Sequence, residues 1–170
     1  MNTKIRFITQ AAVIAAVYAV LTLATWEFSS YAIQVRASEA LCVLIYFTPA
    51  AIPGMFVGCL LANIYSGAWI DVVFGSLATL VAALITGKIP KKHKYLYPLP
   101  TVLVNAAVIP FVLYYGYGIT SMGNFTTTFG CIGIMVLTIM AGEAIACYGI
   151  GIPFMKAMTK IWPKISGETE

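Results

Sequence analysis

The 170 residues are 61% hydrophobic and only 9% charged. Soluble domains carry roughly 25% charged residues, so this composition excludes a soluble globule and implies an integral membrane protein. The formal charge of +4 does not make a nucleic-acid face, because nine of the ten basic residues flank apolar runs in three places: Lys4 and Arg6; Lys88, Lys91, Lys92 and Lys94; and Lys156, Lys160 and Lys164.

A chain of this length provides one bundle of about six spans at about 20 residues each. Residues 4–25 form the first. Within it Ala11, Ala15 and Ala19 recur every four residues, with Ala12 and Ala16 beside them. Such a stripe lets another helix approach closely, either inside the same bundle or in a separate membrane subunit. Residues 26–37 form a connecting loop opposite the basic ends, hence outside. Ser38 suits an N-cap and Glu39 the first turn of a short helix over 38–47, too short to cross alone. Thr48 and Pro49 suit the start of a third helix over 49–65, which carries Gly54, Gly58 and Ala62 on one face and Asn63 near its outer end.

Trp69 and Asp71 open a fourth helix over 69–87. The basic loop Gly87–Pro100 follows and is expected to be cytoplasmic. A fifth helix over 98–115 holds the amide Asn105 and also Pro110, which kinks it and frees the carbonyl of Ala106. The last helix covers 129–162 and places Glu143 near mid-membrane. An ionisable group there is costly and marks function, or else serves as a structural partner for Arg36, Asn105 or a tyrosine. Gly149, Gly151 and Pro153 suggest a bend followed by an amphipathic piece. The fold expected is an all-α, six-helix membrane bundle forming a single domain over 1–170, with both termini cytoplasmic.

The polar residues gather at one end. Trp26, Glu27, Tyr31, Gln34, Arg36 and Glu39 fall within fourteen residues. Towards the outer side and mid-membrane, Glu27, Glu39, Asp71 and Glu143 stand against the single base Arg36. A site so lined prefers a cationic or hydrogen-bond-donating ligand. Trp26, Tyr31 and Trp69 offer flat faces for a planar ring. Cys42, Cys59, Cys131 and Cys147 match no C-x-x-C spacing, and the one histidine, His93, sits among lysines. No metal or cofactor is expected, and no nucleophile–base pair suggests an enzyme. The chain holds no G-x-x-x-x-G-K-[ST] loop, so whatever energy the protein uses comes from a gradient or a partner.

The run IQVRASEALCVLIYFTPAAIPGMFVGCLLANI (Ile33–Ile64), followed by DVVFGSLATLVAALITGKI (Asp71–Ile89) and GEAIACYGIGIPF (Gly142–Phe154), resembles the QueT family of substrate-binding S components of energy-coupling-factor (ECF) transporters. The resemblance implies uptake of a queuosine precursor, a 7-deazaguanine such as 7-aminomethyl-7-deazaguanine or queuine. It implies, as partners in the lipid bilayer, the transmembrane coupling subunit EcfT and two cytoplasmic ATPase subunits. It also implies that the helix-1 alanines Ala11, Ala15 and Ala19 dock the coupling subunit. A guanine-like edge presents N1–H and a 2-amino group side by side, which one carboxylate can accept, and an aminomethyl arm wants a second. Glu39 and Glu143 form the expected pair, with Asp71 in reserve. Arg36 or Asn63 serves the ring oxygen, and Trp26 or Tyr31 stacks on the ring. The alternative is an autonomous proton-coupled carrier of a small cationic or nucleobase-like solute, using Glu143 as a relay.

Overall fold

In a bilayer every backbone N–H and C=O must find its partner within the chain, which leaves helices as the solution for apolar runs of this length. The computed structural model describes residues 3–25 and 36–166. It is all-α: α1 (Thr3–Ala24), α2 (Ala37–Tyr46, a 3-10 helix), α3 (Ala51–Tyr65), α4 (Trp69–Gly87), α5 (Leu99–Phe111), α6 (Thr128–Ala144) and α7 (Gly151–Ser166). A π-helical stretch, Ile145–Ile150, joins α6 to α7 without a break, so that the pair forms the sixth helical unit of the bundle. The polar and aromatic residues Trp26, Glu27, Tyr31 and Gln34 lie outside the described residues.

Four stretches among the described residues are long and apolar enough to cross a membrane: Thr3–Ala24, Trp69–Gly87, Lys91–Gly116 and Thr128–Ile165. Their outward faces carry Val13, Val17 and Val20 on α1, Leu77, Val81 and Leu84 on α4, and Leu137 on α6. A surface this apolar suits lipid rather than water, and the chain is a multi-pass membrane protein. Neighbouring helices pack in sequence, α1 on α3, α3 on α4, α4 on α5 and α5 on α6, while α2 lies against the π stretch, α7 and α1. Residues Ser38 to Ile45 of α2 are all buried, so this helix is enclosed by the others.

The seam between α1 and α3 is built from two small-residue stripes. A Cβ placed on Gly58 would stand 2.6 Å from the Ala15 carbonyl oxygen, and one on Gly54 would stand 2.9 Å from that of Ala11. Ala15 is 5% exposed. Ala15 therefore packs within the chain against α3. Ala11 and Ala19 are half-buried beside it, and the line of α1 that faces outward is instead Ala12, Val13, Ala16, Val17 and Val20.

Other local expectations change in detail. Ser38 does not cap α2; the N-cap is Arg36, and Ser38 Oγ is hydrogen-bonded with Thr22 Oγ1 at 2.8 Å. Thr48 Oγ1 accepts from the Ala50 N–H at 3.3 Å and donates to Gln10 Oε1 at 2.8 Å, tying the α2–α3 junction to α1. The helix of Pro110 runs on and widens into a π turn at Val112–Gly116. A proline N cannot donate to the carbonyl four residues back, and π turns absorb such a lost bond. The same adjustment precedes Pro153, with a π stretch where the sequence suggests a bend. Gly151 follows it, and a Cβ there would lie 3.2 Å from the Ala40 carbonyl of α2.

Candidate functional site

An apolar bundle has few places for polar side chains, and here they collect around Glu39. Its position in the enclosed α2 makes it 0% exposed. Tyr18 Oη of α1 donates to Glu39 Oε1 at 2.5 Å, and Thr79 Oγ1 of α4 lies 3.3 Å from the same oxygen. Glu39 Oε2 has no partner among the described residues. A charge-assisted bond from a phenol is among the stronger hydrogen bonds a protein makes. Tyr18→Phe leaves Glu39 Oε1 with Thr79 alone, and a destabilisation of about 1.5–3 kcal/mol is expected, read by thermal or denaturant unfolding in detergent. An unchanged melting curve would show that the contact contributes nothing.

Asn105 of α5 links this acid to the second. Its Nδ2 donates to Glu143 Oε1 of α6 at 2.9 Å, and its side chain also neighbours Glu39. Glu143 is 2% exposed, and its other oxygen faces Cys147 Sγ at 3.7 Å. On the other side, Thr79 Oγ1 and Asn63 Nδ2 both lie 3.5 Å from Cys59 Sγ. Asn63 Nδ2 donates to the Asp71 carbonyl at 2.9 Å. Above this, Arg36 and Asp71 pair at 3.9 Å, and the Tyr117 phenol donates to Asp71 Oδ2 at 3.3 Å. Burial and the Asp71 carboxylate raise the Tyr117 phenol above its usual range, which keeps it a donor.

Four buried side-chain atoms among the described residues lack a partner: Glu39 Oε2, Asn63 Oδ1, Asn105 Oδ1 and Thr101 Oγ1. Three belong to this polar core, and those three can only accept. Thr101 lies one helical turn before Asn105 on α5. A buried acceptor without a donor costs about 1–3 kcal/mol, so their concentration at one place points to a partner that donates.

Of the expected site residues, the structure brings Arg36, Glu39, Asn63, Asp71 and Glu143 into one connected polar core. Trp69 does not join it: the side chain is 69% exposed on the exterior, where interfacial tryptophans sit. Trp26 and Tyr31 lie outside the described residues. Tyr18, Thr79 and Tyr117 were not expected. Tyr18 carried a signal, since it is the one tyrosine of α1 and lies a single turn from the alanine stripe.

The apolar groove of about 380 Å³ between α1, α2 and α7, lined by Ile14, Leu41, Leu44, Phe154 and Met158, is a separate feature. Its walls are mostly apolar and suit a hydrocarbon chain, with Arg6, Thr9 and Gln10 as the polar residues of the lining. Among the described residues no group of three or more His, Cys, Asp or Glu stands together as a metal site.

A family model described as "QueT transporter" matches residues 8–160. The chain belongs to the QueT transporter family. It is the family that the SEAL and GEA segments resemble. A curated relative, the "Queuosine precursor transporter QueT" of Lactococcus lactis subsp. cremoris (strain MG1363), is 37% identical over 82 residues, 47% of this chain and 48% of that protein. The match thus spans about half of the relative's length. No solved structure matches this QueT-family chain.

Proposed function

We propose that this QueT-family protein is the substrate-binding subunit of an ECF-type importer and takes up a queuosine precursor of the 7-deazaguanine type. The observation that carries the reading is the set of three buried, unpartnered acceptors, Glu39 Oε2, Asn63 Oδ1 and Asn105 Oδ1. A free 7-deazaguanine is rich in donors, at N1, the 2-amino group and N9, and has carbon where guanine has the acceptor N7. It meets acceptors on several edges and brings one fewer acceptor of its own than guanine does. Glu39 Oε2 would take part of the N1–H and 2-amino edge, and Asn105 Oδ1 another donor of the ring. Arg36 stands on the same polar core as the one cationic donor for the ring oxygen. The name of the Lactococcus relative supports the substrate class.

The role as a binding subunit rests on the family resemblance and on a chain that holds no phosphate-binding loop. ATP hydrolysis would then fall to the two ATPase subunits working through the coupling subunit EcfT. Docking would use the outward line of α1, with Ala12 and Ala16, rather than the face that meets α3.

Calorimetry on the purified protein in detergent tests the reading, with 7-aminomethyl-7-deazaguanine, queuine, guanine and riboflavin side by side. A deazaguanine is expected to bind at least about tenfold more tightly than guanine, the equivalent of about 1.4 kcal/mol for one mismatched hydrogen bond. Riboflavin is expected not to bind. If folded protein ignores both deazaguanines, the substrate assignment fails.

A further inference from the structure

Asn105 stands between the two buried acids with one end of its amide engaged and the other free. Its Nδ2 donates to Glu143 Oε1 at 2.9 Å, and its Oδ1 has no partner. The two ends of an amide are nearly the same size, so packing alone does not decide which faces which way. The anchor decides. An ionised carboxylate only accepts. With Glu143 ionised, turning Asn105 end for end would set its Oδ1 against Glu143 Oε1 with no proton between them. Glu143 Oε2 is engaged by Cys147 Sγ at 3.7 Å, which steadies the carboxylate from behind. Asn63 repeats the arrangement: its Nδ2 is held by the Asp71 backbone carbonyl at 2.9 Å and its Oδ1 is left free.

Resting on the reading of a donor-rich ring ligand given above, we infer that Glu143 is a positioning residue: it locks the Asn105 amide with its carbonyl toward the ligand, so that this point of the site admits donors and refuses acceptors. Glu143 then sets specificity without touching the ligand. The two acids divide the work, Glu39 with one oxygen open and Glu143 with both oxygens occupied by the protein.

The test compares 7-aminomethyl-7-deazaguanine with its 2-oxo counterpart, in which the 2-amino donor becomes an acceptor and the neighbouring N3 gains a hydrogen. Both are titrated into the wild-type protein, Glu143→Gln and Asn105→Leu, each checked for a folded melting transition. The wild type is expected to prefer the 2-amino ligand by about 100-fold or more, since sites built to bond a given donor reject the analogue that lacks it. In Glu143→Gln the glutamine can present either its carbonyl or its amide, so Asn105 can turn over. The 2-oxo ligand is then expected to bind about tenfold more tightly than it does to the wild type. A merely structural role for Glu143 produces no such gain. Asn105→Leu removes the locked acceptor, and its preference for the 2-amino ligand is expected to narrow by about tenfold; this variant decides the matter if Glu143→Gln does not fold. If the wild type prefers the 2-amino ligand but both variants lose affinity for the two ligands in equal proportion, the lock is refuted while the substrate reading stands. If the wild type binds neither ligand, both fall together.

Discussion

Replacing Glu39 by glutamine is expected to weaken deazaguanine binding about 30- to 1000-fold while leaving a folded protein. Glu39 is buried in α2 with one oxygen held by Tyr18 and Thr79 and the other without a partner. Glutamine keeps an acceptor that can face Tyr18 and Thr79, so the internal contact persists. Its amide then faces the open position, and a ring N–H meets a donor where it met a carboxylate oxygen. Losing one partner of a buried, charge-assisted bond costs about 2–4 kcal/mol, and each 1.4 kcal/mol is about tenfold. Calorimetry beside a melting curve reads the two effects separately. Binding within a factor of about three of the wild type, with the fold intact, would remove Glu39 from the site.

The second large effect falls on the fold. Gly58→Leu is expected to cost about 3 kcal/mol or more, enough to abolish a melting transition in a marginal detergent preparation. A Cβ at this position would stand 2.6 Å from the Ala15 carbonyl oxygen and 2.7 Å from Tyr18 Cβ. Neither is the tip of a flexible side chain, so no rotamer change relieves the clash and α1 must move away from α3. Tyr18 moves with it, and Glu39 loses its shortest bond. Ala16→Leu, one residue along α1 from Ala15 and on the exposed face, is the control. It is expected to melt within about 0.5 kcal/mol of the wild type, as surface substitutions do. Equal melting of the two variants would show that the seam does not hold the bundle together.

The helices were legible because a bilayer leaves few alternatives: an apolar run of given length is a helix of given length. Glu39, Asn63, Asn105 and Glu143 were legible by contrast, since a polar residue in an apolar run has no solvent to excuse it. Tyr18 and Thr79 were less visible. Threonine often bonds its own helix, as Thr79 also does to the Gly75 carbonyl, and tyrosine is common at membrane interfaces, so neither stands out by type. The small-residue stripes were each visible, but a stripe does not say which other stripe it meets. The spacing of four in Ala11, Ala15 and Ala19 matched that of Gly54 and Gly58, and this agreement of period was the clue that the two belong to one seam. Which end of the Asn105 amide is free follows only from its anchor, and no pattern in the chain records that.

One further consequence lies in the unusual winding of α2. Its flanks are moored to α1 at two points, Ser38 to Thr22 and Thr48 to Gln10. Those moorings are twelve residues apart on α1, about 18 Å at 1.5 Å per residue. The ten steps from Ser38 to Thr48 would cover about 15 Å as an α-helix and about 20 Å as a 3-10 helix. The drawn-out form comes closer to that span than an α-helix would. The first helix thus acts as a ruler for the second, and the place of Glu39 along the bundle is fixed by two side chains of a different helix.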